Sequence, residues 1–193
     1  MAELTRISQA IGSGDWRINY RNALAWLREK YLLLRNRNVT AENIFNEGRS
    51  VRVPFFGRMY FYRYYPKTAS RLKYYDEYPL VVPIQMESRS KFFGMNFHYL
   101  PYNFRTRLMD VLMESVNLTR GNFQVEYKDI KDVHRMRFGV PTLHRYDMRQ
   151  IRSRMIEIPA NEWVTALYLP VERFIKADKD EVWQDSREII RKL

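Results

Sequence analysis

Apolar residues near the start of the chain follow the spacing of one face of a helix. Between residues 15 and 37 they recur at steps of three and four positions, which predicts an amphipathic helix. Thr40 can cap a second, shorter helix through Asn46, which Gly48 would close. The pattern therefore predicts an N-terminal arm and helical hairpin in residues 1–50. The side chains that we expect to pack on another protein surface or on the rest of the chain are Trp16, Tyr20, Leu24 and Leu27.

The pattern of the sequence changes after this hairpin. From Val51 to Tyr99, runs of aromatic and β-branched residues are interrupted by prolines and glycines, which is typical of short strands joined by turns. The strands are predicted near 58–65, 79–86 and 92–98. A small SH3-like β-barrel suits short strands of this kind, so residues 51–120 are predicted to form an aromatic-rich barrel core with a following helix.

Local start signals predict three further helices. Pro101 suits the first turn of a helix whose apolar stripe continues until Gly121. Pro159 opens a second helix in the same way. Asp178, followed three positions later by Glu181, has the form of a capping box for the last helix.

Residues 123–158 fit two patterns at once. Their first part alternates like a strand, whereas the part after it has helical spacing. Residues 121–193 are therefore described only as a basic C-terminal extension with helices. Together with the hairpin and the barrel, this predicts an α+β fold.

Charge restricts the partners of the chain more than it restricts the fold. The sequence carries a net charge of +11 and has a pI near 9.9, so its surface attracts nucleic acid, anionic lipid or an acidic protein. We expect no membrane association, because no apolar run is long enough to span a bilayer. The N-terminus lacks the pattern of a secretory signal, so we expect synthesis in the cytoplasm.

Catalytic chemistry finds little support in the sequence. The chain has no cysteine, and its three histidines lack the spacing of zinc ligands. There is no glycine-rich phosphate loop. The nearest approach to a metal-nuclease motif is Asp76-Glu77 followed by Glu87 and Lys91. We therefore predict a protein that is not an enzyme, with no catalytic residue, no metal site, no cofactor and no small-molecule substrate.

Aromatic and basic residues are interleaved in one segment. Residues 55–104 hold sixteen of the twenty-five tyrosines and phenylalanines. Such rings can stack on unpaired bases while neighbouring cations hold phosphates, or they can form the core of a half-buried sheet. The candidate binding cations are Arg58, Arg63, Lys67, Arg71 and Lys73, with a second cluster at Arg145, Arg149, Arg152 and Arg154. These two clusters can face nucleic acid or the acidic side chains of a neighbouring subunit.

Two smaller groups of residues also have predicted roles. We expect a structural turn, with Asp76 accepting backbone hydrogen bonds, formed by Tyr74, Tyr75, Asp76 and Pro79. Trp163 and Trp183 are predicted to join the apolar face of the hairpin in protein interfaces.

Several segments together carry a resemblance to a known family. They are 57–62 (GRMYFY), 65–68 (YPKT), 72–84 (LKYYDEYPLVVPI), 93–101 (FGMNFHYLP) and the fainter 162–163 (EW) and 169–174 (LPVERF). The chain resembles a conserved virion-associated protein of T4-type myoviruses and marine tailed phages, often labelled DNA end protector. Where many members carry Leu-Pro-Tyr-Tyr-Asp, this chain has Leu72-Lys73-Tyr74-Tyr75-Asp76, so its turn geometry can differ.

The resemblance implies a virion setting and supplies no catalytic residues. The favoured hypothesis is a structural protein of a tailed-phage virion, in the neck, tail or baseplate region. It would act through contacts with other virion proteins in a symmetric assembly, and DNA is a further candidate partner. A DNA-end-binding protein without sequence specificity is the first alternative, and a metal-dependent nuclease is the second.

Overall fold

A computed structural model describes residues 41–45, 50–115, 134–159 and 162–193 of the chain. The strands in these ranges are β1 (Ser50–Val51), β2 (Met59–Phe61), β3 (Tyr75–Asp76), β4 (Leu80–Ser88), β5 (Lys91–Asn96), β6 (Leu143–Asp147), β7 (Met155–Ile158) and β8 (Phe174–Ile175). The α-helices are α1 (Ala41–Phe45), α2 (Tyr102–Ser115), α3 (Trp163–Tyr168) and α4 (Lys179–Lys192). Short 3₁₀ helices span Phe97–Tyr99, His134–Thr142 and Met148–Gln150.

Antiparallel pairing organises the main sheet, whose strand order is β1-β7-β2-β4-β5-β6. Strands β4 and β5 form a hairpin within it, in which Val82 lies opposite Met95 and Pro83 opposite Gly94. A β-carbon at Gly94 would collide with the Val81 side chain, so this position needs glycine. A second, two-stranded sheet joins β3 to β8.

The prediction of an α+β fold is confirmed, but that of a barrel is wrong for the described strands. Those strands form an open sheet, with β1 at one edge and β6 at the other. Strands β6 and β7 come from the segment 121–193 and extend the sheet that residues 51–120 begin. The sheet therefore contains strands from both sides of residue 120.

Both faces of the sheet are buried, as the alternation along β2 shows. Met59 and Phe61 join a large apolar core with residues of α2 and α3, including Leu108 and Leu167. Tyr60, between them, faces the opposite side. There it belongs to a smaller cluster, which we call the tyrosine cluster: Tyr60, Tyr62, Tyr64, Val81, Phe92, Tyr146 and Met155.

Helix starts agree with the local signals in the sequence. The amides of Phe104 and Arg105 donate to the carbonyl of Pro101, at 2.9 and 3.1 Å, at the start of α2. Helix α4 begins with the predicted cap, because Asp178 accepts a hydrogen bond from the amide of Glu181 at 2.8 Å. The predicted hairpin of residues 1–50 lies outside the described residues apart from α1 and β1.

A fully buried arginine joins three segments of the core. Arg105 donates from Nε to the carbonyl of Leu100 at 2.7 Å, and from its two Nη atoms to those of Leu167 at 2.9 Å and His98 at 3.3 Å. The carboxylate of Glu172 lies 3.7 Å from the guanidinium. These contacts fix α2 against α3 and against the 3₁₀ helix Phe97–Tyr99, and they compensate a buried charge.

Trp163 and Trp183 lie inside the fold, where the sequence had suggested interface residues. Their side chains are 4% and 8% exposed. Trp163 donates its indole N–H to the carbonyl of Ile158 at 2.8 Å, and Trp183 donates to that of His98 at 2.9 Å. A tryptophan whose polar atom has an internal partner can be buried at little cost, so both act as core residues here.

Candidate nucleic-acid interface

A cleft of about 680 Å³ opens beside the tyrosine cluster. One wall is the segment 64–76, which connects β2 to β3. The other wall is the segment 141–150, which contains β6. The rest of the lining comes from Lys91 at the start of β5, Tyr99, and Ser186 and Ile189 of α4. Tyr64 and Tyr146 belong both to the tyrosine cluster and to the cleft, so the sheet itself supports the site.

The cleft brings together cations from both basic clusters predicted from the sequence. Its lining includes five cations and two carboxylates: Lys67, Lys73, Lys91, Arg145 and Arg149, with Asp76 and Asp147. Lys91 was not predicted as a site residue. It reaches the site because β5 pairs with β6 in a register that sets Lys91 opposite Asp147, and no local sequence signal shows that pairing. The result is a cleft with an excess of positive charge.

Several of these cations already have carboxylate neighbours in the same chain. Lys73 contacts Asp185 at 2.5 Å, Arg145 contacts Glu87 at 2.8 Å and Arg149 contacts Asp147 at 2.6 Å. The three cationic side chains remain 62%, 53% and 66% exposed. Exposed ion pairs contribute little to stability, so a phosphate can replace such a carboxylate partner at small cost. No ion pair involves Lys67 or Lys91 within the described part of the chain.

Arg149 fixes the charge state of its neighbour Asp147. Hydrogen bonds from the Arg149 guanidinium and amide lower the pKa of Asp147 to about 2. The carboxylate is therefore ionised at neutral pH. The backbone amide of Asp147 donates a hydrogen bond to the hydroxyl of Tyr64 at 3.2 Å. Asp147 therefore connects Arg149 to the tyrosine cluster.

Flat rings form much of the cleft. Its aromatic residues are Tyr64, Tyr74, Tyr75, Tyr99, His144 and Tyr146. Tyr74 is half-buried, while the other four tyrosines are each 8% exposed or less. The ring of His144 lies 3.9 Å from that of Tyr99, centroid to centroid. Burial lowers the pKa of His144 to about 4, so its imidazole is neutral at pH 7 and serves as a further ring.

Tyr74 is held in place from three sides. Its hydroxyl donates to Asp185 of α4 at 2.8 Å, and its ring lies 6.0 Å from that of Tyr99 and 6.3 Å from that of Phe174. Burial, with the carboxylate of Asp185 second, raises the pKa of this tyrosine, so the hydroxyl stays protonated. These contacts orient the ring, the residue remains half-buried, and the ammonium of the exposed Lys73 lies 5.4 Å from the ring centroid.

Asp76 anchors the turn beneath the cleft. Its carboxylate, 3% exposed, accepts hydrogen bonds from the amide of Tyr78 at 3.0 Å, from Nδ2 of Asn96 at 3.0 Å and from Nδ1 of His98 at 2.8 Å. The bond to Tyr78 is the short-range bond of an Asx turn. The other two join the turn to the end of β5. Tyr75 and Pro79 of this turn are also buried.

A lysine from the C-terminal region holds the wall that carries Lys67 and Lys73. The ammonium of Lys176 donates to the carbonyls of Ala69, Ser70 and Leu72, at 2.7, 3.0 and 3.1 Å. Lys176 has a φ of 73°, which non-glycine residues rarely adopt. No local sequence pattern indicates this role, because the three acceptors are more than a hundred positions away along the chain.

Other predicted cations lie outside the lining of the cleft. Arg58 pairs with Glu157 at 2.9 Å and Arg63 with Glu77 at 2.8 Å. Arg152 donates to the side chain of Gln150 at 3.1 Å. Arg71 and Arg154 are exposed. Trp16, Tyr20, Leu24 and Leu27 lie outside the described residues.

The carboxylates considered for metal chemistry do not form a shared site. Asp76 is enclosed by its three donors, and Glu87 pairs with Arg145. Within the described ranges, no group of three or more metal-ligating side chains comes together. None of the helices in those ranges has the length and apolarity to cross a membrane.

Comparison with known proteins identifies a family for this chain. No curated protein and no solved structure matches the chain significantly. The model of one family, described as phage T4 terminal DNA protecting protein, matches residues 36–187. This span contains the whole cleft except Ile189, and it confirms the resemblance drawn from the sequence motifs. The chain therefore belongs to the family of the phage T4 terminal DNA protecting protein.

Proposed function

We propose that the cleft binds the termini of phage DNA without reading their sequence, and that the bound protein shields those termini from exonucleases. The observation that carries the proposal is the convergence of five cations and a set of flat rings in one cleft. Membership of a family described as terminal DNA protecting supports the same ligand.

The cations account for affinity. Lysine and arginine that neutralise phosphates release counterions, which makes binding strong at low salt and weak at high salt. If each of the five lining cations neutralises one phosphate, the logarithm of the association constant should fall against the logarithm of salt concentration with a slope of about −3.5 for single-stranded DNA to about −4.5 for a duplex. The net charge of +11 adds long-range attraction.

The rings account for a preference for ends. Inside a duplex, each base is covered by its neighbours on both faces, so an aromatic side chain finds no free base to stack on. At a terminus, a base face is exposed and can stack on tyrosine. A basic cleft with an accessible tyrosine is therefore better matched to a DNA end than to the middle of a duplex.

The location of the protein in the phage particle is also part of the proposal. We propose that the protein is carried in the virion near the packaged DNA, in the neck or tail region, where it contacts other virion proteins. Its alternative role, in which the basic clusters pair with acidic side chains of a neighbouring subunit, has less support. The matching family is described as protecting terminal DNA, which favours DNA over an acidic protein as the ligand of these clusters.

Binding to linear and circular DNA tests the proposal. A relaxed DNA circle much longer than the DNA persistence length of about 150 bp is bent only gently, so it differs from its linear form mainly in the absence of ends. The wild-type protein should bind the linear form at least about tenfold more tightly, corresponding to one favourable stacking contact. Equal affinity for the two forms would overturn the proposal.

A matched pair of variants locates the binding site. Replacing Lys67, Lys91 and Arg149 of the cleft by alanine should remove the preference for linear DNA. The control replaces Arg52, Arg58 and Lys192, which lie outside the cleft lining, and removes the same charge. It should keep the preference while losing some overall affinity. If the control loses the preference as completely as the cleft variant, the site has been assigned wrongly.

A further inference from the structure

We infer that the cleft takes unpaired nucleotides at the end of one strand, so that the terminus is bound frayed or as a short single-stranded tail. The terminal base pair of a closed duplex would remain outside. This inference rests on the proposed function and specifies the form of DNA end that the site recognises.

The size of the cleft supports the inference. A volume of about 680 Å³ corresponds to a cube with an edge of about 9 Å. A B-DNA duplex is wider than its own major groove, which is about 12 Å across. The duplex therefore cannot enter a space of this size. The volume is instead in the range of sites for small ligands, about 300–1,000 Å³. A single strand, with its bases separated from their partners, is the part of a DNA terminus that fits.

The accessible surfaces inside the cleft also suit a single base. Tyr74 offers the accessible ring among the lining tyrosines. Leu72 and Ile189, which are 37% and 42% exposed, add apolar surface to the same cleft. An unpaired base has two apolar faces to cover, and stacking on such side chains tolerates any base. A terminal base pair in a closed duplex offers only one face.

Basic residues continue from the cleft onto the neighbouring surface. Gln150 lines the cleft, and its carbonyl accepts a hydrogen bond from the amide of Tyr65 at 3.1 Å. Beside it, the amide of Arg152 donates to the carbonyl of Arg63 at 2.8 Å. Arg63 and Arg173 both contact the carboxylate of Glu77. These arginines lie where the paired part of the DNA would continue once its end is in the cleft.

The form of the end can be tested with short duplexes of identical sequence that differ only at one terminus. One ends in a blunt run of G·C pairs, one in mismatched bases and one in a short unpaired tail; the other terminus is blunt and G·C-paired throughout. We expect the mismatched and tailed duplexes to bind at least about tenfold more tightly than the blunt duplex. A 2-aminopurine in the tail should lose fluorescence on binding, because it stacks on a ring.

Variants of Tyr74 separate stacking from general affinity. Tyr74→Leu should bring the affinity for tailed DNA down to that for blunt DNA and abolish the fluorescence change. Tyr74→Phe keeps the ring and should keep the preference, although it loses the hydrogen bond to Asp185. Phe55→Leu removes a ring that is 60% exposed and outside the cleft lining, and it should behave like the wild type.

The outcomes separate this inference from the proposed function. If blunt and tailed duplexes bind equally and both bind more tightly than a DNA circle, the inference is wrong and the proposed function stands. If all of them bind no better than the circle, the proposed function fails as well. A preference for tailed DNA that survives Tyr74→Leu also contradicts the inference, because the ring would then not be the stacking partner.

Discussion

The substitution Asp76→Ala should destabilise the fold strongly, because it removes one buried acceptor that serves three donors. These donors are the amide of Tyr78, Nδ2 of Asn96 and Nδ1 of His98, at 3.0, 3.0 and 2.8 Å from the carboxylate. Asn96 and His98 are fully buried. A buried donor left without a partner costs about 1–3 kcal/mol, so the sum at this site is at least about 3 kcal/mol.

The imidazole of His98 can reduce this cost only slightly by moving its proton. If Nδ1 gives up its hydrogen, Nε2 must carry it, and in the described part of the chain Nε2 has no hydrogen-bond partner. The unsatisfied donor would therefore be relocated rather than removed. The conservative variant Asp76→Asn keeps an acceptor for Tyr78 but sets an amide N–H₂ against other donors. Asp76→Asn should lower the free energy of unfolding by about 2 kcal/mol, which is less than the loss in Asp76→Ala.

Urea unfolding followed by tryptophan fluorescence measures these differences, since Trp183 donates to the carbonyl of His98 and reports on this region. Glu87→Ala is the matched control, because it removes a surface carboxylate paired with Arg145 and should cost less than about 1 kcal/mol. The order of stability should be wild type, Glu87→Ala, Asp76→Asn, Asp76→Ala. An Asp76→Ala protein within about 1 kcal/mol of the wild type would refute the hydrogen-bond argument.

Two further substitutions test the walls of the cleft. Burial lowers the pKa of His144 from 6.5 to about 4, so between these values the unfolded chain binds a proton that the folded chain does not, and stability falls as the pH falls through this window. His144→Gln should lessen this loss of stability by up to about 3 kcal/mol, as measured by urea titrations at pH 7 and pH 4.5. An unchanged pH dependence would show that His144 is not the group that titrates in this window. Lys176→Met removes the donor to three carbonyls of the segment 69–72, so trypsin should cleave at Arg71 and Lys73 about tenfold faster or more. Equal cleavage rates in Lys176→Met and in the control Lys192→Met would show that Lys176 does not hold this wall.

Local signals were sufficient to predict the central strands and the later helices. Strands β2, β4 and β5 overlap the predicted segments 58–65, 79–86 and 92–98, because turns and runs of β-branched and aromatic residues mark them. Helices α2, α3 and α4 follow prolines or a capping box close in sequence. Such signals depend on neighbouring residues and can be read without knowing the fold.

Pairing between distant segments could not be predicted in this way. Met155–Ile158 forms β7 and lies between β1 and β2, yet nothing in these four residues indicates that position. The barrel prediction was wrong for this reason: a count of short strands does not show that strands from residues 143–158 extend the sheet at both sides. The sequence patterns of those strands were also too short to assign.

Four of the five cations that line the cleft could be named from the sequence as candidates, but their shared location could not. Clusters of lysine and arginine can be recognised directly in a sequence. Only the fold shows that Lys67 and Lys73 share a cleft with Arg145 and Arg149. Nine of the sixteen rings in residues 55–104 are buried, so the core accounts for most of that aromatic segment. Tyr74 differs from them because its neighbours leave part of the ring accessible.

Protection of DNA from an exonuclease tests the central claim most directly. A linear duplex labelled at its ends is incubated with a double-strand exonuclease, and a restriction enzyme that cuts in the middle serves as the control for general coating of the DNA. The wild-type protein and the Arg52, Arg58 and Lys192 alanine variant should slow the exonuclease and leave internal cutting unaffected, whereas the Lys67, Lys91 and Arg149 alanine variant should give no protection. Equal inhibition of both nucleases, or full protection by the folded cleft variant, would contradict the claim that this cleft shields the ends of DNA.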